Sequence, residues 1–269
     1  MSALRLNWQP SPAIAVFFAV VVGGIALTVW QPQWWCWTLG VAVACHMGLT
    51  IAGLLPRSRL LGPNWVRLPA SAAMNREICI TIDDGPDPAV TPQVLNILES
   101  HGARATFFCI GRQAQRHPEL CREIVQRGHA VENHTQNHPH LFSLFGPRGI
   151  YREIQAAQQT LGGITGRQPV FFRPVAGLRN LLLDPILAYC GLRLVSWTRR
   201  GYDTRENDAE LVFQRLTKEL RAGDILLLHD GNAARTNAGT PVILEVLPRL
   251  LDRIAAARLR AVTLHSTLS

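Results

Sequence analysis

Two adjacent aspartates, Asp83 and Asp84, follow a short apolar segment that ends at Ile82. Carboxylates this close repel one another unless a positive group lies beside them, so the pair indicates a nearby metal ion or arginine. Gly85 and Pro86 come next, and D-D-G-P is also favourable turn chemistry, because Asp caps the bend that Gly and Pro form. The pair alone leaves a metal site and a plain turn as alternatives.

His134 and His138 lie four residues apart in the segment H-T-Q-N-H, and His140 follows shortly after. Imidazoles at this spacing face one way on a helical turn, and neutral histidine is the commonest ligand for zinc-like ions. Two histidines with one aspartate, Asp84, form a facial ligand set that leaves positions open for water and substrate. An exposed histidine pair with no ligand is the alternative, and His140 is a spare that breaks the spacing.

His229 closes the apolar segment D-I-L-L-L-H near the other end of the chain. A histidine at the end of a buried strand is a candidate proton donor rather than a metal ligand. The alternative is a histidine that only makes structural hydrogen bonds.

Alternating β-rich and helical segments must position these side chains. The pattern predicts strands at 78–82, 105–110, 130–132, 170–172, 192–197, 224–228 and 259–264, and helices at 91–101, 118–126, 150–161, 181–189, 208–220 and 241–257. This alternation favours parallel strands in a closed or nearly closed barrel. Chemistry in such barrels collects where the strands end, and the unusual polar residues all follow predicted strands: Asp83, Asp84, His134, His138, Arg173, Asp203 and His229.

Together these motifs resemble the NodB-type polysaccharide deacetylases, carbohydrate esterase family 4. Residues 81–86, T-I-D-D-G-P, are similar to the family's T-F-D-D-G-P, with Ile82 in place of phenylalanine. Residues 134–138 match its H-[ST]-x-x-H motif, and residues 226–229 match its closing L-x-x-H. Residues 173–177, R-P-V-A-G, resemble R-P-P-x-G with Val175 at the second proline. The segment 197–204 departs most, because the family often has an aspartate followed by tryptophan there.

The resemblance implies an α/β fold, a distorted (β/α) barrel of the NodB type. It implies Asp83 as general base and His229 as general acid, with Asp84, His134 and His138 as ligands of one divalent metal ion, zinc foremost, although cobalt, nickel or iron also suit these ligands. Arg173 would hold Asp83, and the backbone N–H of Ala176 would help to bind the oxyanion. We expect Asp203 to orient His229 beside an apolar wall at Trp197 or Tyr202; the alternative is an ion pair with Arg199 or Arg200.

The first part of the chain has a different character. No Asp, Glu, Lys or Arg occurs between Leu6 and Pro56, and two apolar runs, 13–30 and 34–55, each approach the length of a membrane span. Four tryptophans surround their connection, as is typical of a membrane interface. We therefore expect an N-terminal two-helix transmembrane hairpin rather than a cleaved signal peptide or a buried hairpin, with an anchor at 1–56, a linker at 57–75 and a deacetylase domain at 76–269.

Arginines flank the hairpin at Arg5, Arg57, Arg59 and Arg67, which favours the cytoplasmic side of an inner membrane for both of its ends. The six cysteines include no C-x-x-C pair, so nothing requires an oxidising compartment. The net charge of +8 has no aromatic-basic stripe beside it, which argues against nucleic acid and suits anionic lipid or a phosphorylated substrate.

The function that these observations favour is metal-dependent removal of an N-acyl group, acetyl foremost, from an amino sugar. The expected partners are the lipid bilayer and a glycan or glycolipid, with a lipid-linked substrate as the leading interpretation. One alternative is a periplasmic enzyme acting on peptidoglycan or an exported polysaccharide. Another is a silent NodB-like protein that binds glycan or serves as a scaffold.

Overall fold

A computed structural model of the chain describes residues 7–268. It begins with two long apolar helices, α1 (Pro12–Trp30) and α2 (Trp35–Leu54), joined by a 3-10 turn at Pro32–Trp34. The Ser11 side chain caps α1 by accepting the Ile14 N–H, and the hydroxyls of Thr28 and Thr38 join the two helices at 2.8 Å. Both helices are long and apolar enough to cross a membrane, by length and composition. Arg5, which was used to predict the orientation, lies outside the described residues.

From residue 77 to residue 268, the chain is built on one sheet of eight parallel strands. The strands are β1 (Glu77–Asp83), β2 (Ala105–Cys109), β3 (Ala130–Asn133), β4 (Phe171–Phe172), β5 (Arg193–Leu194), β6 (Arg199–Arg200), β7 (Ile225–His229) and β8 (Arg260–Ala261). Their order is β5-β4-β3-β2-β1-β7-β6, and β8 pairs with the start of β1. β1, β2 and β7 are buried along their whole length, because helices cover the sheet and allow apolar residues in continuous runs.

Within residues 7–268, eight further α-helices surround these strands or lie between them. They are α3 (Ala70–Met74), α4 (Thr91–Ser100), α5 (Gly111–Arg116), α6 (Pro118–Gln126), α7 (Pro147–Thr165), α8 (Leu183–Cys190), α9 (Ala209–Thr217) and α10 (Val242–Ala256). Pro92, Pro118 and Pro147 lie in first turns, where a missing N–H leaves no helical hydrogen bond unmade. Gly166 and Gly191 end α7 and α8 with a left-handed backbone.

The sheet curls into an open barrel rather than a closed one. Across residues 7–268, its two edge strands are β5 and β6, and no ladder joins them. The predicted alternation of strands and helices is confirmed, but the expectation of near closure was wrong. Strands β4, β5, β6 and β8 have only two residues each, too few to continue the ladder around the barrel.

The segment 57–75 packs against the barrel. Leu61 is buried with Leu49 and Ala52 of α2, and the main chain of Trp65 forms a parallel bridge with Val195 beside β5. The Arg67 side chain donates to Asp224 Oδ1 at 2.6 Å. The segment predicted as a linker is therefore an ordered connection, and it packs the end of α2 against the barrel next to β5 and β6.

Candidate active site

Asp84, His134 and His138 converge at the carboxyl ends of β1 and β3. Asp84 Oδ1 lies 3.2 Å from His134 Nε2 and 3.1 Å from His138 Nε2. The three ligand atoms all lie within 4.8 Å of one another, and Asp84 and His134 are buried. This arrangement can hold one small cation on a carboxylate and two imidazoles, with its remaining positions facing the cleft.

The segment that carries the two histidines is an irregular turn, so the expected helical turn was wrong. The Asn133 side chain accepts the N–H of Thr135 at 2.9 Å, and the Thr135 hydroxyl accepts the N–H of His138 at 3.0 Å. Thr135 and His138 adopt a left-handed backbone, with φ of 67° and 54°. Side-chain hydrogen bonds of this kind compete with a helix, and here they turn both imidazoles toward Asp84.

The hydrogen bonds around the three side chains fit a metal ion. His134 Nδ1 lies 2.7 Å from the carbonyl oxygen of Arg173; a carbonyl only accepts, so Nδ1 carries the proton and Nε2 keeps its lone pair for a cation. Burial raises the pKa of Asp84, but the contacts of its carboxylate with His134 and His138 outweigh burial and hold this pKa well below its usual value. Burial lowers the pKa of His134, but the carboxylates of Asp83 and Asp84 raise it by more, so the net shift of this pKa is upward. The site is therefore arranged to hold positive charge.

Asp83 is fixed by a buried arginine. Arg173 is fully buried, and its Nη1 donates to Asp83 Oδ1 at 2.6 Å and to the Thr81 hydroxyl at 2.8 Å. The rest of the guanidinium donates to the carbonyl oxygens of Val195 and Ser196. Asp83 Oδ2 lies 4.0 Å from His134 Nε2, on the side of the candidate metal site. The arginine thus binds one carboxylate oxygen and leaves the other toward the cleft.

His229 forms a buried pair with Asp203. Asp203 Oδ1 lies 2.9 Å from His229 Nδ1, and its Oδ2 accepts the main-chain N–H of His229 at 2.7 Å. Burial lowers the pKa of His229, but the Asp203 carboxylate, with Asp84 and Asp83, raises it to about 9. Asp203 therefore contacts His229 rather than an arginine, and Arg199 pairs with Asp224 at 2.9 Å.

A cleft of about 400 Å³ joins these groups, and the predicted oxyanion donor lies on its wall. Ala176 lines the cleft in a left-handed conformation with φ 54°, next to Val175 and Gly177. Trp197 also lines it, whereas Tyr202 is 53% exposed and faces a neighbouring cavity. His140 lies at the rim, its ring 5.8 Å from that of His138. Every predicted site residue thus lies in the cleft or directly behind it.

Sequence reasoning missed the residues that follow His229. Asn232 Nδ2 donates to Asp84 Oδ2 at 3.0 Å and fixes the carboxylate from its outer side. A Cβ on Gly231 would lie 2.3 Å from the Asp84 carbonyl oxygen, so only glycine allows the two chains to approach this closely. Burial, with the nearby Asp84, raises the pKa of Asp230 to about 7 against a hydrogen bond from Thr91. The D-G-N sequence after His229 was the available signal.

Comparisons with known proteins identify related sequences. The family model described as polysaccharide deacetylase matches residues 71–195. A chitooligosaccharide deacetylase of Azorhizobium caulinodans is 41% identical over 155 residues, 57% of this chain and 73% of the relative. A peptidoglycan-N-acetylglucosamine deacetylase of Bacillus cereus is 34% identical over 175 residues, 64% of this chain and 81% of the relative.

Among solved structures, a family 4 carbohydrate esterase from Streptomyces lividans in complex with acetate is similar, with a TM-score of 0.62 and 32% identity. The match covers 69% of this chain and 91% of that one. Since the similarity extends over most of each relative, the resemblance predicted from the motifs is confirmed. The chain belongs to the polysaccharide deacetylase family of NodB-type carbohydrate esterases.

Proposed function

We propose that the chain is a metal-dependent hydrolase that removes an N-acyl group, acetyl foremost, from an amino sugar of a glycan. The observation that carries the proposal is the convergence of Asp84, His134 and His138 beside the arginine-held carboxylate of Asp83, in the same cleft as His229. Relatives named as deacetylases of chitooligosaccharide and of peptidoglycan N-acetylglucosamine support this chemistry.

A divalent metal ion held by Asp84, His134 and His138, zinc foremost, would supply Lewis-acid polarisation and would lower the pKa of water. Asp83 acts as the general base, because Arg173 binds its Oδ1 and leaves Oδ2 toward the cleft. It removes the proton from the attacking water while the guanidinium fixes its orientation.

His229 acts as the general acid. Its Nδ1 donates to Asp203, which leaves Nε2 as the ring nitrogen available to the cleft. The Asp203 carboxylate raises the pKa of His229 against the effect of burial, so the imidazole holds a proton that it can pass to the departing amine. Asp203 is a positioning residue that holds the ring, and the N–H of Ala176 binds the developing oxyanion.

The test is Asp83→Asn in the full-length, detergent-purified protein. Loss of a general base removes about 10²–10⁴-fold of rate, so we expect acetate release from N-acetyl chitooligosaccharides to fall by at least 100-fold while metal content stays the same. Asp252→Asn, an exposed change on α10, is the matched control. Undiminished turnover in Asp83→Asn would remove Asp83 from its role. A metal-loaded wild type that releases neither acetate nor formate from a panel of amino sugars would favour the silent, glycan-binding alternative.

For the location, we propose an inner-membrane protein with an anchor at 1–56, a connection at 57–75 and a deacetylase domain at 76–269 on the cytoplasmic side. The two exposed apolar helices and the arginines after them support this arrangement. The substrate would then be a lipid-linked or membrane-associated glycan. A periplasmic enzyme acting on peptidoglycan or an exported polysaccharide is the second candidate, favoured by the name of the Bacillus cereus relative. A reporter that is active only in the cytosol, fused after Ser269, distinguishes the two: activity supports our arrangement and silence contradicts it.

A further inference from the structure

A second cavity, of about 990 Å³, lies between the end of the hairpin and the active-site cleft. One wall is the chain that leaves α2, residues 55–60, and the other comes from residues 197–202 and α9. Trp197 and Arg200 line both this cavity and the cleft. A molecule bound in the cavity would therefore lie directly beside a sugar bound in the cleft. We call it the junction cavity.

The lining of the junction cavity is strongly basic. It includes six cationic residues and no carboxylate: Arg57, Arg59, Arg199, Arg200, Arg215 and Lys218. Two of them form ion pairs with carboxylates that do not line the cavity: Arg199 with Asp224 at 2.9 Å and Arg215 with Glu206 at 3.0 Å. Within residues 7–268 the other four have no carboxylate at ion-pair distance. The mechanism proposed above uses none of this charge, so the cavity is suited to a separate anionic group.

The Arg200 guanidinium lies next to two aromatic rings. Its guanidinium lies 5.3 Å from the Trp197 ring and 5.1 Å from the Tyr202 ring, so two aromatic faces hold it. Its Nε is buried and has no hydrogen-bond partner among the described residues. No acceptor fixes this end of the guanidinium, so its remaining N–H groups are the ones that can donate to an anion in the cavity. A guanidinium in a fixed orientation is the group best suited to bind phosphate with paired hydrogen bonds.

The cavity also has an apolar edge on the side of the hairpin. Leu55 and Leu60 line it, and they are 56% and 57% exposed. Leu55 follows α2 directly, so this edge lies where a membrane-spanning hairpin would leave the bilayer. A ligand that fits both features has an apolar chain next to its anionic group.

We propose that the junction cavity binds the phosphate ester that links an N-acyl amino sugar to a lipid chain, while the N-acyl group lies in the cleft. The inference rests on the proposed deacetylation and names its substrate class. Arg57, Arg59 and Arg200 bind the phosphate oxygens, and the lipid chain leaves past Leu55 and Leu60. Arg57 and Arg59 then serve the substrate as well as the orientation of the hairpin.

The test compares two substrates of the full-length, metal-loaded protein in phosphatidylcholine nanodiscs. One is N-acetylglucosamine joined to a prenyl chain through pyrophosphate, and the other is the neutral N-acetyl chitotetraose. We expect the wild type to have a higher kcat/KM for the prenyl pyrophosphate substrate than for chitotetraose. The double variant Arg57→Gln, Arg59→Gln should lower the ratio of these two kcat/KM values by about 10-fold, mainly because the KM for the pyrophosphate substrate rises. Arg253→Gln, an exposed arginine on α10 that does not line the cavity, should keep the wild-type ratio. A double variant whose ratio stays within twofold of wild type overturns the proposal.

Binding without turnover separates this inference from the deacetylase proposal. We expect farnesyl pyrophosphate to bind more tightly than farnesol by calorimetry, and the double variant to raise the Kd of the pyrophosphate by about 10-fold. If neither substrate is hydrolysed but this difference holds, the deacetylase proposal fails and the phosphate site stands. If both prenyl compounds bind equally, the phosphate site fails. If the double variant loses binding only to phosphatidylglycerol vesicles, the cavity serves bulk lipid headgroups, which also overturns the proposal.

Discussion

Replacing Asp203 by asparagine should move the alkaline limit of activity to lower pH. The Asp203 carboxylate lies 2.9 Å from His229 Nδ1, and both side chains are buried. Asparagine keeps the shape, and its one oxygen can still accept the main-chain N–H of His229. Its NH2 group then faces His229 Nδ1 and cannot accept a proton from it, and the negative charge is lost. Because the pair is buried, water screens the lost charge only weakly.

The magnitude follows from the pKa of His229, which its surroundings raise to about 9. A divalent ion beside Asp84 and Asp83 would offset the rise in the His229 pKa that these two carboxylates cause. The rise caused by Asp203 would remain. An opposite charge at this distance shifts a pKa by about 1–3 units, so the variant should titrate lower by that amount. His229 is in its acid form at pH values below its pKa and loses the proton at pH values above it. Hence the alkaline limb of kcat falls about 1–3 units earlier in Asp203→Asn, with a smaller loss near pH 6.

The assay is kcat for acetate release from N-acetyl chitooligosaccharides between pH 6 and 10, with an NMR titration of the His229 ring. Asp208→Asn is the matched control, because Asp208 caps α9 through its Oδ1 and asparagine caps a helix equally well. This control should keep the wild-type profile. An alkaline limb that stays in place in Asp203→Asn, or a loss of activity that is equal at every pH, would refute the assigned role.

Three further changes test the supporting structure. Arg173→Met leaves the Asp83 carboxylate buried without a partner, which should cost about 3–5 kcal/mol and lower Tm by roughly 10 °C in a thermal unfolding scan; an unchanged Tm would contradict the buried pair. Gly231→Ala should weaken zinc binding by about 10-fold or more, since its Cβ must displace the Asp84 main chain. For Gly163→Ala on α7, the new Cβ has no atom within 4 Å, and the free energy of unfolding should rise by about 0.5–1 kcal/mol. Equal zinc affinity in both glycine variants would contradict the close contact. Removal of metal with a chelator should abolish acetate release, and zinc should restore it; activity that survives complete removal would contradict metal dependence.

Much of the site could be predicted from sequence, because each functional side chain directly follows a short apolar strand. Asp83 ends β1, His134 follows β3, and His229 ends β7. In a parallel sheet these ends meet at one edge, so strand prediction alone brings the residues together. The same reasoning predicted Arg173 after β4, and the structure explains its burial through four hydrogen bonds.

The features that were missed depend on contacts between distant parts of the chain. Helix α5 has no long apolar repeat, and its first N–H groups, those of Gly111 and Arg112, donate to the carbonyls of Thr135 and Gln136. Strand β6 has two residues and exists because it pairs with β7. The H-T-Q-N-H segment has helical spacing, but the side chains of Asn133 and Thr135 hold a turn instead. These tertiary hydrogen bonds cannot be predicted from the local secondary-structure propensity of the sequence.

The most direct test of the central claim is X-ray absorption spectroscopy at the zinc edge of the metal-loaded, full-length protein. We predict only nitrogen and oxygen neighbours at about 2.0–2.1 Å, with the multiple-scattering pattern of two imidazoles in wild type and of one in His138→Ala. A sulfur neighbour at about 2.3 Å, or identical spectra for the two proteins, would show that the metal binds elsewhere.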